Sequence, residues 1–335
     1  MSKVNIKVLA DQLQLSVSTI SKALRDSYEI SDETKKKVME LATRLNYVPN
    51  PYASSLRRKK SKTIAVVLPE VADNFFSLAI NGIQSVAESK GYHVLIYLSH
   101  EKFANEKAIL DDCASGRVDG VLISISSETS SADHINKLQA NNIPVVFFDR
   151  EQESIETARV TTNDFDCGVL AAKHLLKKGC RKLAFFSISQ SLPICMNREE
   201  GFKSALTSAG VPEEDQQIVY CIDNDGMYNQ VKSILQSEHR PDGLIASVEK
   251  IVTPVYLACH ELNIRIPHDL KVIAFASLDT APILNPPLTT ITQPAFDIGK
   301  AAATLLFKGI EKSSFDLSRE RIIIPSVLIE RTSTM

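Results

Sequence analysis

The chain has 335 residues, of which 44% are hydrophobic, 23% charged and 6% aromatic. These values are ordinary for a globular protein, and they exclude a disordered, collagen-like or coiled-coil chain as the main architecture. No apolar run approaches the roughly 18–20 residues that span a bilayer, and no apolar export segment follows Met1. We therefore expect a cytoplasmic protein of two or three domains, with its six scattered cysteines reduced and buried.

The net charge of −2 conceals a strong asymmetry along the chain. Residues 1–62 hold 13 Lys and Arg against 6 Asp and Glu, a charge of +7, and the remainder carries −9. A basic segment attached to an acidic body indicates a polyanionic partner for that segment alone. The alternative is a solubilising tail, which the helical periodicity of the segment disfavours.

The first fifty residues predict three short helices. Apolar residues recur at helical spacing between 6 and 13, between 17 and 24, and between 38 and 45. Ser16 is suited to cap the second helix, and a third helix starts near Ser31. The second helix carries short hydroxyls and a lysine, which suit base edges and phosphates in a major groove. The pattern favours a helix-turn-helix unit over a plain helical bundle with solvated lysines.

The segment after the third helix contains two prolines and then four consecutive basic residues. Pro49 and Pro51 end the helix, because the residue before a proline avoids the helical region. Residues 52–60 could form one or two helical turns, too few to be stable alone in water. We expect them to order only on a partner, with the basic end on phosphates. A plain basic linker is the alternative.

From Thr63 onward, strand-like runs alternate with helical patterns. Strands are predicted at 63–68, 93–98, 120–124, 145–149, 160–162, 183–187, 218–222, 243–247, 272–275, around 288–291 and near 321–325. Helices are predicted at 76–90, 103–115, 131–141, 165–178, 198–209, 228–237, 250–262 and 296–308. The alternation predicts doubly wound parallel sheets, and the restart near 160 predicts two lobes with a ligand-binding cleft between them.

Motifs in this order resemble those of one known family. They include Val17-Ser18-Thr19-Ile20-Ser21-Lys22-Ala23-Leu24, Leu45-Asn46-Tyr47-Val48-Pro49-Asn50 and Pro286-Pro287-Leu288-Thr289-Thr290-Ile291. The chain resembles the lactose-repressor-type (LacI/GalR) transcriptional regulators over nearly its whole length. The resemblance implies a helix-turn-helix headpiece (1–48), a hinge (49–61) and a periplasmic-binding-protein-like effector and dimerisation domain (62–335). It places residues 62–160 and 293–318 in the first lobe, and 161–292 and 319–332 in the second.

The same resemblance implies the function and partners. It implies a DNA-binding regulator, most simply a repressor, whose affinity for double-stranded operator DNA changes when a sugar or sugar derivative binds between the lobes. We expect a homodimer, because no heptad repeat follows the last predicted strand, and we expect no membrane partner. No enzymatic activity, cofactor or metal site is expected.

The DNA contacts implied by the resemblance lie in the headpiece and the hinge. They are Asn5, Ser16, Val17, Ser18, Thr19, Ser21, Lys22, Arg25, Asn50, Ala53, Leu56 and Arg57. Leu56 is the minor-groove wedge, an apolar side chain that opens a base step. Three residues depart from the family: Gln14 replaces the usual turn glycine, Arg25 replaces the usual asparagine after the second helix, and Lys22 replaces an arginine. Because lysine lacks the two-pronged guanidinium, Lys22 is expected to contact phosphate.

The implied effector contacts lie at strand ends facing the cleft. They are Asp73, Phe75, Ser124, Asp149, Arg198, Val248, Ser277 and Gln293. An aromatic ring such as Phe75 can stack on the C–H face of a sugar, while Asp149 and Arg198 can hold vicinal hydroxyls. The alternatives are core packing for Phe75 and an ion pair between the lobes for Asp149 with Arg198.

Two departures affect the second lobe. Val248-Glu249 stands where the family carries Asn-Asp, and Ala276-Ser277 stands where it carries an aspartate. Either the ligand presents a less polar edge there, or Glu249, Lys250 and Ser277 substitute. If Lys250 joins Arg198, the pair could hold a carboxylate, which raises the hypothesis of a sugar acid.

Two other classes of protein were weighed against the regulator. A transport or chemosensory binding protein could share the body, but it requires an export signal where this chain has a basic head. A sugar-processing enzyme requires a catalytic constellation. The sequence contains no phosphate-binding loop, dinucleotide fingerprint, nucleophile elbow or H-E-x-x-H motif.

Overall fold

The structure is a computed structural model that describes residues 5–47, 60–71, 74–221, 226–312 and 314–335. The chain divides into two units, Met1–Ser61 and Lys62–Met335. Within the described ranges, no helix is both long and apolar enough to cross a membrane. All six cysteines are buried and free of disulfides, which confirms that expectation.

The N-terminal unit contains the three predicted helices. They are α1 (Ile6–Leu13), α2 (Val17–Ala23) and α3 (Asp32–Arg44). Each begins at a polar side chain whose oxygen accepts backbone N–H hydrogen bonds: Asn5, Ser16 and Ser31. The helices share one apolar core, which includes Leu9, Ile20, Val38 and Leu41. Gln14 ends α1 at φ 51°, so it adopts the left-handed turn for which the family uses glycine.

The larger unit alternates strands and helices along the chain. Its strands are β1 (Thr63–Leu68), β2 (His93–Leu98), β3 (Val121–Ile123), β4 (Val145–Phe148), β5 (Ala158–Thr161), β6 (Leu183–Ser187), β7 (Gln216–Tyr220), β8 (Gly243–Ala246), β9 (Lys271–Phe275), β10 (Thr289–Thr292), β11 (Arg321–Ile323) and β12 (Val327–Ile329). Its helices are α4 (Asn74–Ser89), α5 (Phe103–Asp112), α6 (Asp133–Ala140), α7 (Asp164–Lys177), α8 (Pro193–Ser208), α9 (Met227–Gln236), α10 (Val252–Glu261) and α11 (Ala295–Glu311).

These strands form two six-stranded sheets, one in each lobe. The order is β11-β5-β4-β3-β1-β2 in the first lobe and β12-β10-β9-β8-β6-β7 in the second. Neighbouring strands are parallel, except that β12 runs antiparallel to β10. Successive residues of β1 belong to different apolar clusters, Ile64 and Val66 to one and Ala65 and Val67 to the other. Both faces of this sheet are therefore covered, and the predicted doubly wound α/β fold is confirmed.

The predicted assignment of the last segment to the second lobe is wrong in part. The strand β11 pairs with β5 in the first sheet, although residues 319–332 were assigned to the second lobe. The strand β12, which the sequence did not predict, joins the second sheet beside β10. Both are three-residue edge strands whose burial alternates only weakly. The local sequence pattern cannot tell which distant strand such a segment joins. The last crossing of the chain from the first lobe to the second was therefore predicted too early, before β11 instead of after it.

The helix α8 begins five residues earlier than predicted. It starts at Pro193, whereas the periodicity indicated a start at Arg198. Proline fits the first turn of a helix, because the N–H that it lacks has no helical partner there. Arg198 therefore lies inside the helix, at the end that faces the cleft.

Candidate functional site

The N-terminal face of α2 carries a cluster of hydroxyl groups. The Ser16 Oγ lies 2.7 Å from Ser18 Oγ and 2.8 Å from Thr19 Oγ1, and it also accepts the Thr19 N–H. The chain thus places three predicted DNA contacts side by side, with Ser16 and Ser18 exposed. Short hydroxyls can donate to or accept from phosphates and base edges.

Two basic residues and one asparagine of the predicted DNA set have internal partners. Lys22 forms an ion pair with Glu29, and the Arg25 Nε donates to the Ser21 carbonyl at 2.9 Å. The Asn5 Oδ1 accepts the N–H groups of Lys7 and Val8, so this residue also caps α1. The remaining predicted contacts of the headpiece, Val17 and Ser21, are half-buried on α2. The predicted hinge contacts lie outside the described residues: Asn50, Ala53, Leu56 and Arg57.

A cavity of about 30 Å³ between the lobes brings five predicted effector contacts together. These five are Phe75, Asp149, Arg198, Val248 and Gln293. Its other lining residues are Phe76, Arg150, Ile194, Glu249 and Phe275. The predicted contact Asp73 lies outside the described residues.

Ser277 and Ser124 are both buried, and neither lines this cavity. Ser277 lies one hydrogen bond behind the wall, since its Oγ donates to the Gln293 carbonyl at 3.2 Å. The Ser124 Oγ has no hydrogen-bond partner among the described residues.

Arg198 is fixed within the second lobe. Its Nε donates to Asp164 Oδ1 at 2.7 Å, its Nη1 donates to the Ser247 carbonyl at 2.6 Å, and its guanidinium lies 4.4 Å from the centre of the Phe275 ring. The ion pair of Arg198 is therefore with Asp164 of its own lobe, and the alternative of an ion pair with Asp149 is wrong. The Nη2 is buried without a partner among the described residues, which leaves its two N–H groups for a ligand.

Asp149 follows β4 in a left-handed backbone conformation, with φ 61°. Its carboxylate is buried, with the Gln293 Nε2 at 3.5 Å and the Arg150 Nε at 3.9 Å. Burial raises the pKa of Asp149 to about 6, since removal from water penalises the charged form. With this pKa the carboxyl is mostly ionised at neutral pH, when it accepts hydrogen bonds, and it becomes protonated and able to donate one in mildly acidic solution.

Arg150, the second buried arginine in the cavity wall, is also paired with a carboxylate. The Arg150 Nη1 donates to both oxygens of Glu101, at 2.8 and 3.0 Å. The Coulombic attraction and hydrogen bonds of Arg150 hold the pKa of Glu101 below its usual value, although burial acts in the opposite direction. The ring of Phe76 lies 5.9 Å from the Arg150 guanidinium.

Phe75 packs in the core, as the alternative interpretation of the sequence expected, and its stacking on a sugar stays a prediction. It belongs to the apolar core of the first lobe, where its ring meets Phe76 edge to face at 5.3 Å. It also lines the cavity. Core packing therefore holds the ring in place while part of it faces the site.

Polar contacts cross between the lobes beside this cavity. Lys250 of the second lobe pairs with Glu70 of the first at 2.7 Å. Glu249 accepts the backbone N–H of Asn74 from the first lobe, and the Asn74 side-chain amide donates to the Ser277 carbonyl. A wider cleft of about 390 Å³ continues outward, lined by Glu70, Arg150, Val248 and Lys250 among others.

Comparisons with known proteins match this architecture in both units. Residues 5–50 match the model of bacterial regulatory proteins of the lacI family, and residues 172–334 match a periplasmic binding protein-like domain. A ribose operon repressor from Halalkalibacterium halodurans is 30% identical over 332 residues, which cover 98% of this chain and 96% of that one.

Solved structures agree. A LacI family regulator from Enterococcus faecalis V583, crystallised with bound ribose, is 30% identical with a TM-score of 0.72, covering 81% of this chain and 98% of that one. The lac repressor dimer, bound to operator and the anti-inducer ONPF, is 21% identical with a TM-score of 0.85 over all of both chains, which shows the shared fold. This chain belongs to the lacI family of bacterial DNA-binding transcriptional regulators.

Proposed function

We propose that this chain is a homodimeric repressor whose affinity for double-stranded operator DNA is set by a neutral sugar bound between the lobes. The division of labour follows the sequence: residues 1–48 read the major groove through α2, residues 49–61 form the hinge with Leu56 in the minor groove, and residues 62–335 bind the sugar and dimerise. We take the first lobe as about 62–162 and 293–323, a division supported by the pairing of β11 with β5.

The observation that supports the sugar assignment is the presence of two buried polar groups in the wall of one cavity. The Arg198 Nη2 provides an unused N–H donor. The same cavity is lined by the carboxyl group of Asp149, whose pKa burial raises to about 6. Together with the ring of Phe75, these groups can hydrogen-bond adjacent hydroxyls and pack on the C–H face of a sugar. Predominantly apolar pockets with a few convergent polar groups are typical of small-molecule sites.

The charges favour a neutral sugar over a sugar acid. Arg198 is paired with Asp164, Arg150 with Glu101, and Lys250 with Glu70. Arg198 and Lys250, the two cations expected to hold a ligand carboxylate, are therefore each already balanced by a carboxylate of the protein. A buried carboxylate without a counter-charge is costly, so the sugar-acid hypothesis loses its support.

Ribose is the first sugar to test, because a relative named as a ribose operon repressor and a ribose-bound structure are both 30% identical to this chain. The experiment selects duplexes from random DNA with the full chain and then measures operator affinity by fluorescence anisotropy with and without D-ribose. We expect a change of about 5–150-fold with ribose, the range of a coupling energy of roughly 1–3 kcal/mol. D-ribonate, which adds a carboxylate, should produce no change.

Two results would contradict this function. One is a chain that selects no duplex above random DNA. The other is an operator affinity that no neutral sugar of a pentose and hexose panel changes while an acidic sugar does.

A further inference from the structure

The side chain of Glu249 bridges the two lobes at the floor of the cleft. It is buried at the start of a short turn that follows β8. One carboxylate oxygen accepts the backbone N–H of Asn74 in the first lobe. The other accepts the backbone N–H of Ser277 in the second lobe at 3.0 Å. A single carboxylate thus joins the first residue of α4 to the end of β9.

A second hydrogen bond reinforces this bridge. The side-chain amide of Asn74 donates to the Ser277 carbonyl. Asn74 and Ser277 are therefore joined both through Glu249 and directly. A charge-assisted bond to a backbone N–H is among the stronger hydrogen bonds in proteins, and here the carboxylate is buried while Asn74 is half-buried.

The bridge occupies space and donors in the effector site itself. Glu249 lines the same cavity as Asp149 and Arg198, and that cavity measures about 30 Å³. Such a volume holds about two water molecules, whereas ligand pockets measure roughly 300–1,000 Å³. The N–H groups at the start of a helix are also good partners for a polar ligand. At Asn74 the carboxylate of the protein already uses one.

We propose that Glu249 is a built-in competitor of the effector: its carboxylate holds the lobes together and must leave Asn74 before a sugar can enter. The inference rests on the proposed function and deepens it. One residue would both hold the lobes together without sugar and set the sugar concentration that is needed for a response. Apparent affinity falls by the fraction of molecules in which the site is accessible. A bridge formed in nine molecules out of ten would weaken effector binding about tenfold.

The first experiment needs no ligand. Hydrogen–deuterium exchange of the full chain compares the wild type with Glu249→Ala and Glu249→Asp. Aspartate keeps the charge but is one methylene shorter, so it cannot reach both N–H groups. We expect the first turn of α4, residues 74–78, to exchange at least fivefold faster in both variants. Glu200→Ala, at an exposed position of the same lobe, should leave that turn unchanged.

Unchanged exchange at 74–78 in both Glu249 variants would overturn the proposal, even if the segment around Ser277 exchanged faster. That pattern would mean that Glu249 only supports its own lobe. The aspartate variant guards against misfolding of the alanine variant, which leaves two buried N–H groups unpaired.

The second experiment is calorimetric titration of the same proteins with D-ribose. If Glu249 competes with the sugar, Glu249→Ala and Glu249→Asp should bind ribose about tenfold more tightly than the wild type. The affinity of Glu200→Ala should be unchanged. Weaker or equal binding in the Glu249 variants would overturn the competition and make Glu249 an ordinary ligand contact. If no variant binds ribose, the sugar assignment fails, and the exchange experiment alone decides whether Glu249 holds the lobes.

Discussion

Ser16 caps a helix and is also a predicted DNA contact. Its hydroxyl accepts the Thr19 N–H, which has no partner inside α2, and the same oxygen lies within hydrogen-bond distance of Ser18 and Thr19 hydroxyls. The cap was predictable from sequence, because a serine directly before an apolar helical stripe is a local signal. The hydroxyl cluster around it follows from the cap once the helix forms.

A pair of substitutions separates the two roles of Ser16. Ser16→Ala should lose about 1 kcal/mol of headpiece stability, since alanine cannot accept the capping bond. Ser16→Asp should keep that stability but lose DNA affinity, because aspartate caps well and repels phosphate. Hydrogen exchange of the α2 amides in the full chain measures the first effect, about fivefold, and anisotropy with duplex DNA measures the second. Equal DNA binding by Ser16→Asp and the wild type would exclude a groove-facing Ser16.

Asp149 gives a pH dependence of known sign. Burial raises the pKa of Asp149 to about 6 in the folded chain, above the value near 4 of an exposed aspartate. The folded state therefore binds this proton more tightly, so the contribution of Asp149 to the free energy of unfolding is complete below about pH 4. It is lost as the pH rises through about 6.

The variant Asp149→Asn removes that titration and tolerates the left-handed backbone. The difference in unfolding free energy, wild type minus variant, should fall by roughly 2 kcal/mol between pH 4 and 6.5. Urea unfolding followed by circular dichroism at several pH values measures it. A flat or rising difference would show that Asp149 is charged throughout this range.

The residues around Asp149 and Arg198 show where sequence reasoning ends. Positions at strand ends were predictable, and five of the predicted contacts do meet in one cavity. The partner of Arg198 was not, because Asp164 lies 34 positions away and reaches it only once α7 and α8 pack. Glu249 was recognised as a departure from the family, but its bond to Asn74 spans 175 positions and depends on how the lobes meet.

At the scale of elements, each lobe contains one pair of helices in backbone contact. A Cβ added at Gly168 on α7 would lie 2.1 Å from the Arg198 carbonyl oxygen, and one at Gly201 on α8 would lie 2.1 Å from the Phe165 carbonyl oxygen. In the first lobe, α4 and α11 repeat the arrangement through Gly82 and Gly299. Such distances exclude any side chain, so these glycines set how closely the helices approach.

The α7–α8 contact therefore positions Arg198. Gly168→Ala should push α8 outward at Arg198, costing at least about 2 kcal/mol as an overpacked core and weakening sugar binding. Gly299→Ala creates an equal overlap, 2.0 Å from the Ala79 carbonyl oxygen, without touching Arg198. Urea unfolding should show both losses of stability, while titration with the sugar should show a larger loss of affinity for Gly168→Ala. Equal affinities in the two variants would contradict this role of Gly168.

Elements with a strong pattern were predictable, and elements defined only by their partners were not. The buried strand β1 and the long helix α4 were recognisable from periodicity to within two residues. The edge strands β11 and β12 have three residues each, and pairing with strands more than 30 residues distant decides which sheet they join. Short edge strands thus decide the lobe boundaries without leaving a local signal.

At the scale of the molecule, positive and negative charge are separated along the chain. Residues 1–62 carry +7 and the remainder −9, so attraction to DNA is confined to the segment that reads it. Within the acidic body, the described lysines and arginines that line the cleft or its inner cavity are held in ion pairs: Lys102, Arg150, Arg198 and Lys250. A sugar can thus enter and leave without creating an unbalanced buried charge, which suits a signal that must be reversible.

The coupling between sugar and operator must be equal in both directions. If the sugar changes operator affinity by some factor, the operator must change sugar affinity by that same factor, because both close one thermodynamic cycle. Arg198→Lys tests where this coupling enters the protein. Lysine keeps the positive charge that buried Asp164 requires, but it lacks the second N–H arm that Arg198 offers to the cavity.

We expect Arg198→Lys to bind operator as the wild type does, to bind sugar at least tenfold more weakly, and to give a coupling factor close to one at attainable sugar concentrations. Arg181→Lys, at an exposed position of the same lobe, should retain the full factor. Anisotropy with operator and calorimetry with sugar give the two factors independently. If Arg198→Lys keeps the wild-type coupling factor, the signal does not pass through this guanidinium.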